Sequence, residues 1–163
     1  MIRPGYVPRG GGVIELSVRP VRRALAPLQL TEQGAVREVS GIAISSHLQE
    51  RQVSERMASV CEIELAAAGL PCKIERVHDH SAPHPGASLA VWATTSTGCI
   101  LGADRAGALR RSSETIGHFV ARTLVDDWQR APLPTATRPT SSCSLLRSRR
   151  APRPTWYLGS ATM

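Results

Sequence analysis

The residues of this chain whose type and spacing first suggest chemistry are Pro8-Arg9-Gly10-Gly11-Gly12, within the stretch GYVPRGGGVIEL (5–16). Glycine reaches positive φ without steric cost and lets another group approach the backbone, so three in a row mark a tight turn or a crowded contact. A Gly-rich turn beside a strand can also cradle a phosphate on its amides. The phosphate-cradling patterns, however, require GxxxxGK[ST], or GxGxxG opening a helix, and neither is present. The stretch reads first as a structural bend and second as a phosphate-facing turn. Val13, Ile14, Leu16 and Val18 then alternate with Glu15, Ser17 and Arg19 as a strand would.

Three further groups carry residue types that could do chemistry. His78, His80 and His84 in HDHSAPHPG could converge on one ion, since loop imidazoles two and six apart are able to share a metal. Two prolines, a glycine and Asp79 as the one nearby carboxylate favour a solvated loop instead, and no bound metal is expected. Cys61, Cys72, Cys99 and Cys143 form no CxxC pair and no histidine stands at a suggestive spacing, so they read as packed thiols rather than nucleophiles or ligands. Arg110-Arg111 precedes a helix start and could steer a phosphate, although a solvated loop end is the plainer reading.

These residues must be held by the elements between them. AVREVSGIAIS (35–45) alternates as a strand. Ser46 with Gln49 gives a capping-box pattern, after which Leu48, Val53, Met57, Val60, Cys61 and Leu65 place one apolar stripe along a helix ending at Gly69. CKIERVH (72–78), ASLAVWATT (87–95) and CILGAD (99–104) read as three strands, with Trp92 a core candidate and Ser96-Thr97-Gly98 a hairpin connection. Ser113 then caps a second helix with Ile116, Phe119, Val120, Leu124 and Trp128 on one face. The order predicts an α+β fold, a small sheet with helices packed on one face.

The chain has 163 residues, with 20 basic against 13 acidic residues and a net charge of +7, which ordinarily suggests an anionic partner. Five of the arginines (Arg138, Arg147, Arg149, Arg150, Arg153) fall in residues 131–163, which hold no Asp or Glu. Most of the excess charge is therefore in that segment. It lacks any sustained period and is rich in Pro, Ser, Thr and Ala, so it is expected to be a disordered basic tail. No secretory leader or long apolar run is visible, and a cytoplasmic protein that does not enter a membrane is expected.

Read together, GYVPRGGG (5–12), PLQLTEQGAV (27–36), GIAISSHL (41–48), ERMA (55–58) and TSTGCILGAD (95–104) resemble the RNA 3′-terminal phosphate cyclase family. The carrying motif is Pro-x-Gly-Gly-Gly-x-aliphatic. Pro4 departs from the Arg or His that the family has before the glycine. The resemblance implies three parts: residues 1–30 as a remnant of the large domain, with the glycine turn and a strand; residues 31–130 as an insert-like α+β domain, similar to the C-terminal domain of a translation initiation factor; and the tail. It also implies the reaction, in which ATP converts an RNA 3′-phosphate to a 2′,3′-cyclic phosphate through AMP carried on a histidine. RNA 3′-phosphate ends are thus the implied partner. ATP is the cofactor of the full-length family, and none is expected for this chain.

Family members are longer than this chain, and no histidine here stands in a matching segment. The resemblance therefore assigns no catalytic residue, and Pro8, Arg9, Gly10, Gly11 and Gly12 are the family-signature positions, as phosphate or structural turn. The chain is expected to be an inactive fragment; the alternative is a non-catalytic RNA- or protein-binding module. The tail has its own reading. Codons behind Arg138-Pro139-Thr140-Ser141-Ser142-Cys143, regrouped by joining each third base to the next two, permit Ala, Asp, Gln, Leu, then Leu or Val, the motif with which the family continues. Residues from about 131 onward thus read as translated out of frame. Lys73 as the single lysine agrees with GC-rich coding DNA.

Overall fold

The computed structural model of the chain describes residues 1–20, 24 and 32–130. The expected tail and the tail's frame lie outside the described residues. Strand β1 (Val36–Ser46) leads through a short 3-10 turn (Gln49–Arg51) into helix α1 (Val53–Ala67). Strands β2 (Lys73–Asp79), β3 (Gly86–Thr95) and β4 (Ile100–Ala106) follow, and then helix α2 (Ser113–Gln129). The sheet order is β2-β1-β3-β4, with β1 parallel to β2 and the other pairs antiparallel. A parallel pair needs a long crossover, and α1 supplies it. This is the expected α+β fold, with both helices on one face of a small sheet.

Period-two burial defines the core side of the sheet. On β3, Ala87, Leu89, Val91, Ala93 and Thr95 are buried, while Ser88, Ala90, Trp92 and Thr94 face the other way. From the helices come Met57, Cys61 and Leu65 on α1 and Ile116, Val120 and Leu124 on α2, each at four-residue steps that align on one face. Gly117 lets the two helices meet: a Cβ there would stand 2.7 Å from the Met57 carbonyl oxygen.

Five expectations are corrected. Trp92 is not core but 39% exposed, because its parity on β3 places it on the open face beside Gly102 and Ser40. The strand expected over Val13 to Val18 does not form: Val13 bridges Arg3, and Ile14, Leu16 and Val18 are exposed. An alternating stretch without a neighbouring strand has neither ladder nor covered face to hold it. Ser46 caps nothing, since β1 runs on through it, and Leu48 precedes the helix; α1 starts after Gln52, which is left-handed at φ 49. The cap of α2 is Ser112, whose Oγ accepts from the Thr115 amide at 3.2 Å, while Ser113 is buried in the first turn. Phe119 leaves the core stripe and lies under the Arg105 guanidinium, 3.7 Å from ring centroid to Cζ.

Candidate anion-binding cleft

The topology decides which loops meet. Because β1, β2 and β4 all run the same way and β3 runs against them, the β1–α1, β2–β3 and β4–α2 connections fall at one end of the sheet. The N-terminal segment docks on this same end. Its Gly10 and Gly11 adopt φ 67 and 80, and the Gly10 amide closes the turn onto the Tyr6 carbonyl at 2.7 Å. A Cβ on Gly11 would stand 2.7 Å from Pro83 Cγ, so this glycine lets the turn lie against the β2–β3 connection. Gly10, where a Cβ would meet nothing, is thus called for by its positive φ, and Gly11 by both its φ and the close approach of Pro83.

Tyr6 is the anchor of this segment. Its ring lies on Gly86, where a Cβ would be 2.1 Å from Tyr6 Cγ. Its hydroxyl is 2.9 Å from Ser46 Oγ, which donates to Asp79 Oδ2 at 2.7 Å. A serine hydroxyl has one proton, and with that proton on Asp79, Tyr6 is the donor to Ser46. Burial pushes the Tyr6 phenol above its ordinary pKa, and the Asp79 charge adds to it. Asp79 is held well below the usual carboxylate range, mainly by the Ser81 hydroxyl at 2.6 Å. Loss of water around it opposes that shift, and the Ser46 hydroxyl and the Ala82 and Ser81 amides reinforce it.

Between the anchored segment and the helix-side loops lies a cleft of about 620 Å³. Its lining includes five arginines, Arg9, Arg51, Arg56, Arg110 and Arg111, together with His84, and contains no Asp or Glu. Two of the arginines are engaged: Arg56 pairs with Glu114 at 2.6 Å, and Arg111 donates to the Ala106 carbonyl at 2.8 Å. The guanidinium groups of Arg9, Arg51 and Arg110 make no hydrogen bond or ion pair among the described residues. Arg110 also holds φ 64, a left-handed conformation that disfavours a side chain. Like charges gathered in a concave, low-dielectric wall focus potential on an anion, and the planar guanidinium matches phosphate geometry.

The other sequence candidates are dispersed. His78 Nε2 is 2.7 Å from Glu55 Oε1, His80 packs edge-on to the His47 ring, and His84 lines the cleft. Among the described residues no group of three His, Cys, Asp or Glu side chains is placed to hold a metal. Burial pushes the Cys61 thiol up to about 12, with Cys72, Glu64 and Glu62 adding to it, and that of Cys72 up to about 11. Such thiols stay protonated at neutral pH and are poor nucleophiles. Cys143 lies outside the described residues.

Sequence reasoning missed one polar cluster altogether. His78 Nδ1 is 3.5 Å from Ser45 Oγ and 3.4 Å from Ser54 Oγ, and the two hydroxyls are 3.0 Å apart. With Glu55 on the other ring nitrogen, this has the outline of a hydrolytic triad. Ser45 is 1% exposed and Ser54 0%, so neither hydroxyl can reach a substrate, and the cluster ties β1, α1 and β2 together. Burial works to raise the Glu55 pKa, but its own backbone amide and His78 outweigh it and hold it low. Also missed were Arg51 and Arg56, which carry no periodic signal because they sit in a turn and on an exposed helix face.

Comparison with known proteins gives one family: residues 31–129 match the model of the RNA 3′-terminal phosphate cyclase insert domain. Three similar proteins, each named RNA 3′-terminal phosphate cyclase, come from archaea. The Pyrobaculum aerophilum protein is 33% identical over 77% of this chain and 35% of its own length. The Caldivirga maquilingensis protein is 33% identical over 76% of this chain and 36% of its own length. The Hyperthermus butylicus protein is 35% identical over 77% of this chain and 36% of its own length. The chain therefore spans little more than a third of the relatives it matches.

Proposed function

Because the chain belongs to the RNA 3′-terminal phosphate cyclase family, we propose that it serves the ATP-dependent conversion of RNA 3′-phosphate ends to 2′,3′-cyclic phosphates, as a part that holds RNA rather than the part that is adenylated. In that reaction a histidine attacks the α-phosphate of ATP and releases pyrophosphate. AMP then passes to the RNA 3′-phosphate, and the neighbouring 2′-OH closes the ring and expels AMP. The observation that carries this reading is the five-arginine cleft, which has cations for an anionic strand and no carboxylate to act as a base. The histidines agree with it: His47 donates to the Ala82 carbonyl at 2.7 Å, His78 and His118 pair with Glu55 and Glu64, and His80 packs on His47. His84 remains, lining the cleft among the arginines with no carboxylate in the lining.

Incubation with ATP labelled in its α-phosphate tests the division of labour. The chain alone should form no protein-AMP adduct and cyclise no 3′-phosphorylated RNA. A stable adduct on any histidine would overturn it. The same cleft also favours a second reading, a non-catalytic RNA-binding module. Supplying the chain to a family enzyme lacking its own insert domain separates the two, since restored cyclisation supports the first and RNA binding without restoration supports the second.

A further inference from the structure

Resting on the reading that this chain handles RNA, we infer that the arginine cleft binds the internal sugar-phosphate backbone of single-stranded RNA, taking at least two successive phosphates, and does not recognise the reacting 3′ end. Size is the first argument. A cleft of about 620 Å³ is on the scale that encloses a drug-sized ligand, roughly 300–1,000 Å³, and far exceeds what one phosphate fills. The second is the distribution of charge. Arg9 belongs to the N-terminal turn, Arg51 to the β1–α1 connection and Arg110 to the β4–α2 connection, so the arginines without partners among the described residues approach from three separate segments. A single phosphate would engage one or two of them, whereas a strand crossing the cleft presents an anion to each.

What the cleft lacks narrows the ligand further. Magnesium nucleotides are commonly held through one or two carboxylates that share the metal, and the lining has none. Phosphodiesters bring one charge each and need no metal. Base-specific reading relies on aromatic faces and on polar side chains such as amides; the lining has no Asn or Gln, and of its two rings Tyr6 already lies on Gly86, which leaves His84. Recognition is therefore through the backbone and independent of sequence. A cleft of about 620 Å³ between a docked turn and two loops is on the scale of a single strand rather than a duplex.

The test uses the full chain and fluorescent 12-nucleotide RNAs that end in a 3′-hydroxyl, so that end recognition cannot contribute. Oligouridylate and a mixed sequence should bind alike. Arg51→Glu with Arg110→Glu should weaken both by at least about tenfold and flatten the slope of log affinity against log salt by about 1.4, two contacts at about 0.7 each. The loss should persist when Arg147 and Arg149 are also changed to Glu, which separates the cleft from the basic tail. Should the double variant fail to fold, Arg51→Gln with Arg110→Gly removes the same charges while relaxing the backbone, and the same result is expected. Unchanged affinity in the folded variants would overturn the proposal. So would competition by magnesium-ATP, duplex RNA or polyglutamate equal to that of the single strand. These outcomes are independent of the ATP-labelling result, so the cleft and the division of labour can fail separately.

Discussion

The α+β unit and the N-terminal segment that docks on one end of its sheet are held together by different physics. The unit is closed by repeating burial: alternate residues of β3 and four-residue steps on α1 and α2 meet in a continuous core. The N-terminal segment has no such period. It is fixed by a backbone bridge between Arg3 and Val13, by the Tyr6 ring on Gly86, and by the hydroxyl relay from Tyr6 through Ser46 to Asp79. Cooperative burial makes the unit robust, while a few local contacts leave the segment dependent on it. The cleft borrows from both, with Arg9 on one wall and Arg51 and Arg110 on the others.

The largest effect should come from breaking the unit. Met57 is fully buried, and Met57→Asp places an unpaired charge in the core, costing about 3–5 kcal/mol in denaturant unfolding. Because the cleft walls rest on that core, RNA affinity should fall with it. An unchanged unfolding midpoint would mean that α1 is not packed as described.

Gly86→Ala should divide the two regions instead. The new Cβ would overlap the Tyr6 ring, while the buried face of β3 is untouched. The segment should come loose, seen as faster tryptic cleavage after Arg9, with a change of at most about 1 kcal/mol in the stability of the unit. Equal loss of stability and protection would show that the segment and the unit form a single cooperative body.

Acid should act on the same seam. Asp79 has a depressed pKa in the folded state, so its contribution is complete above its ordinary value of 3.8 and is lost as pH falls through the folded one. Hydrogen exchange in residues 1–12 should therefore quicken on acidification below about pH 4. Asp79→Asn should remove most of that pH dependence while leaving exchange in α2 unchanged. A variant that keeps the wild-type profile would place the acid-sensitive group elsewhere.

Arg110→Gly should give the smallest change in stability. Glycine adopts positive φ freely, so relief of the strained turn is worth up to about 1 kcal/mol, while one cation leaves the cleft. Stability should hold or rise and RNA affinity should fall. Loss of stability would mean that the Arg110 side chain supports the loop.

Much of the unit was legible in the sequence because burial writes a period into it. The helix end at Gly69 and the β3–β4 hairpin followed from local chemistry. The side of Trp92 was also written there: Leu89 and Val91 share one parity, and Trp92 shares the other with Ser88 and Thr94. Its aromatic character points to the core and its parity to the open face, and parity decides the fold. The cleft was not legible. Arg9, Arg51 and Arg110 are far apart in sequence, and only the strand order brings their loops to one end. The Pro-x-Gly-Gly-Gly signature marked the turn but could not show that Tyr6, two residues before its proline, is what holds it in place.

The central claim, that RNA lies in the arginine cleft, is tested most directly by arginine-specific chemical modification of the full chain with and without saturating single-stranded RNA, followed by peptide mass spectrometry. Arg9, Arg51 and Arg110 should be protected by RNA, while Arg37 and Arg122, exposed and outside the cleft, should react at the same rate with and without it. Reactive cleft arginines in the bound state, or protection of Arg37 and Arg122 to the same extent, would contradict the claim.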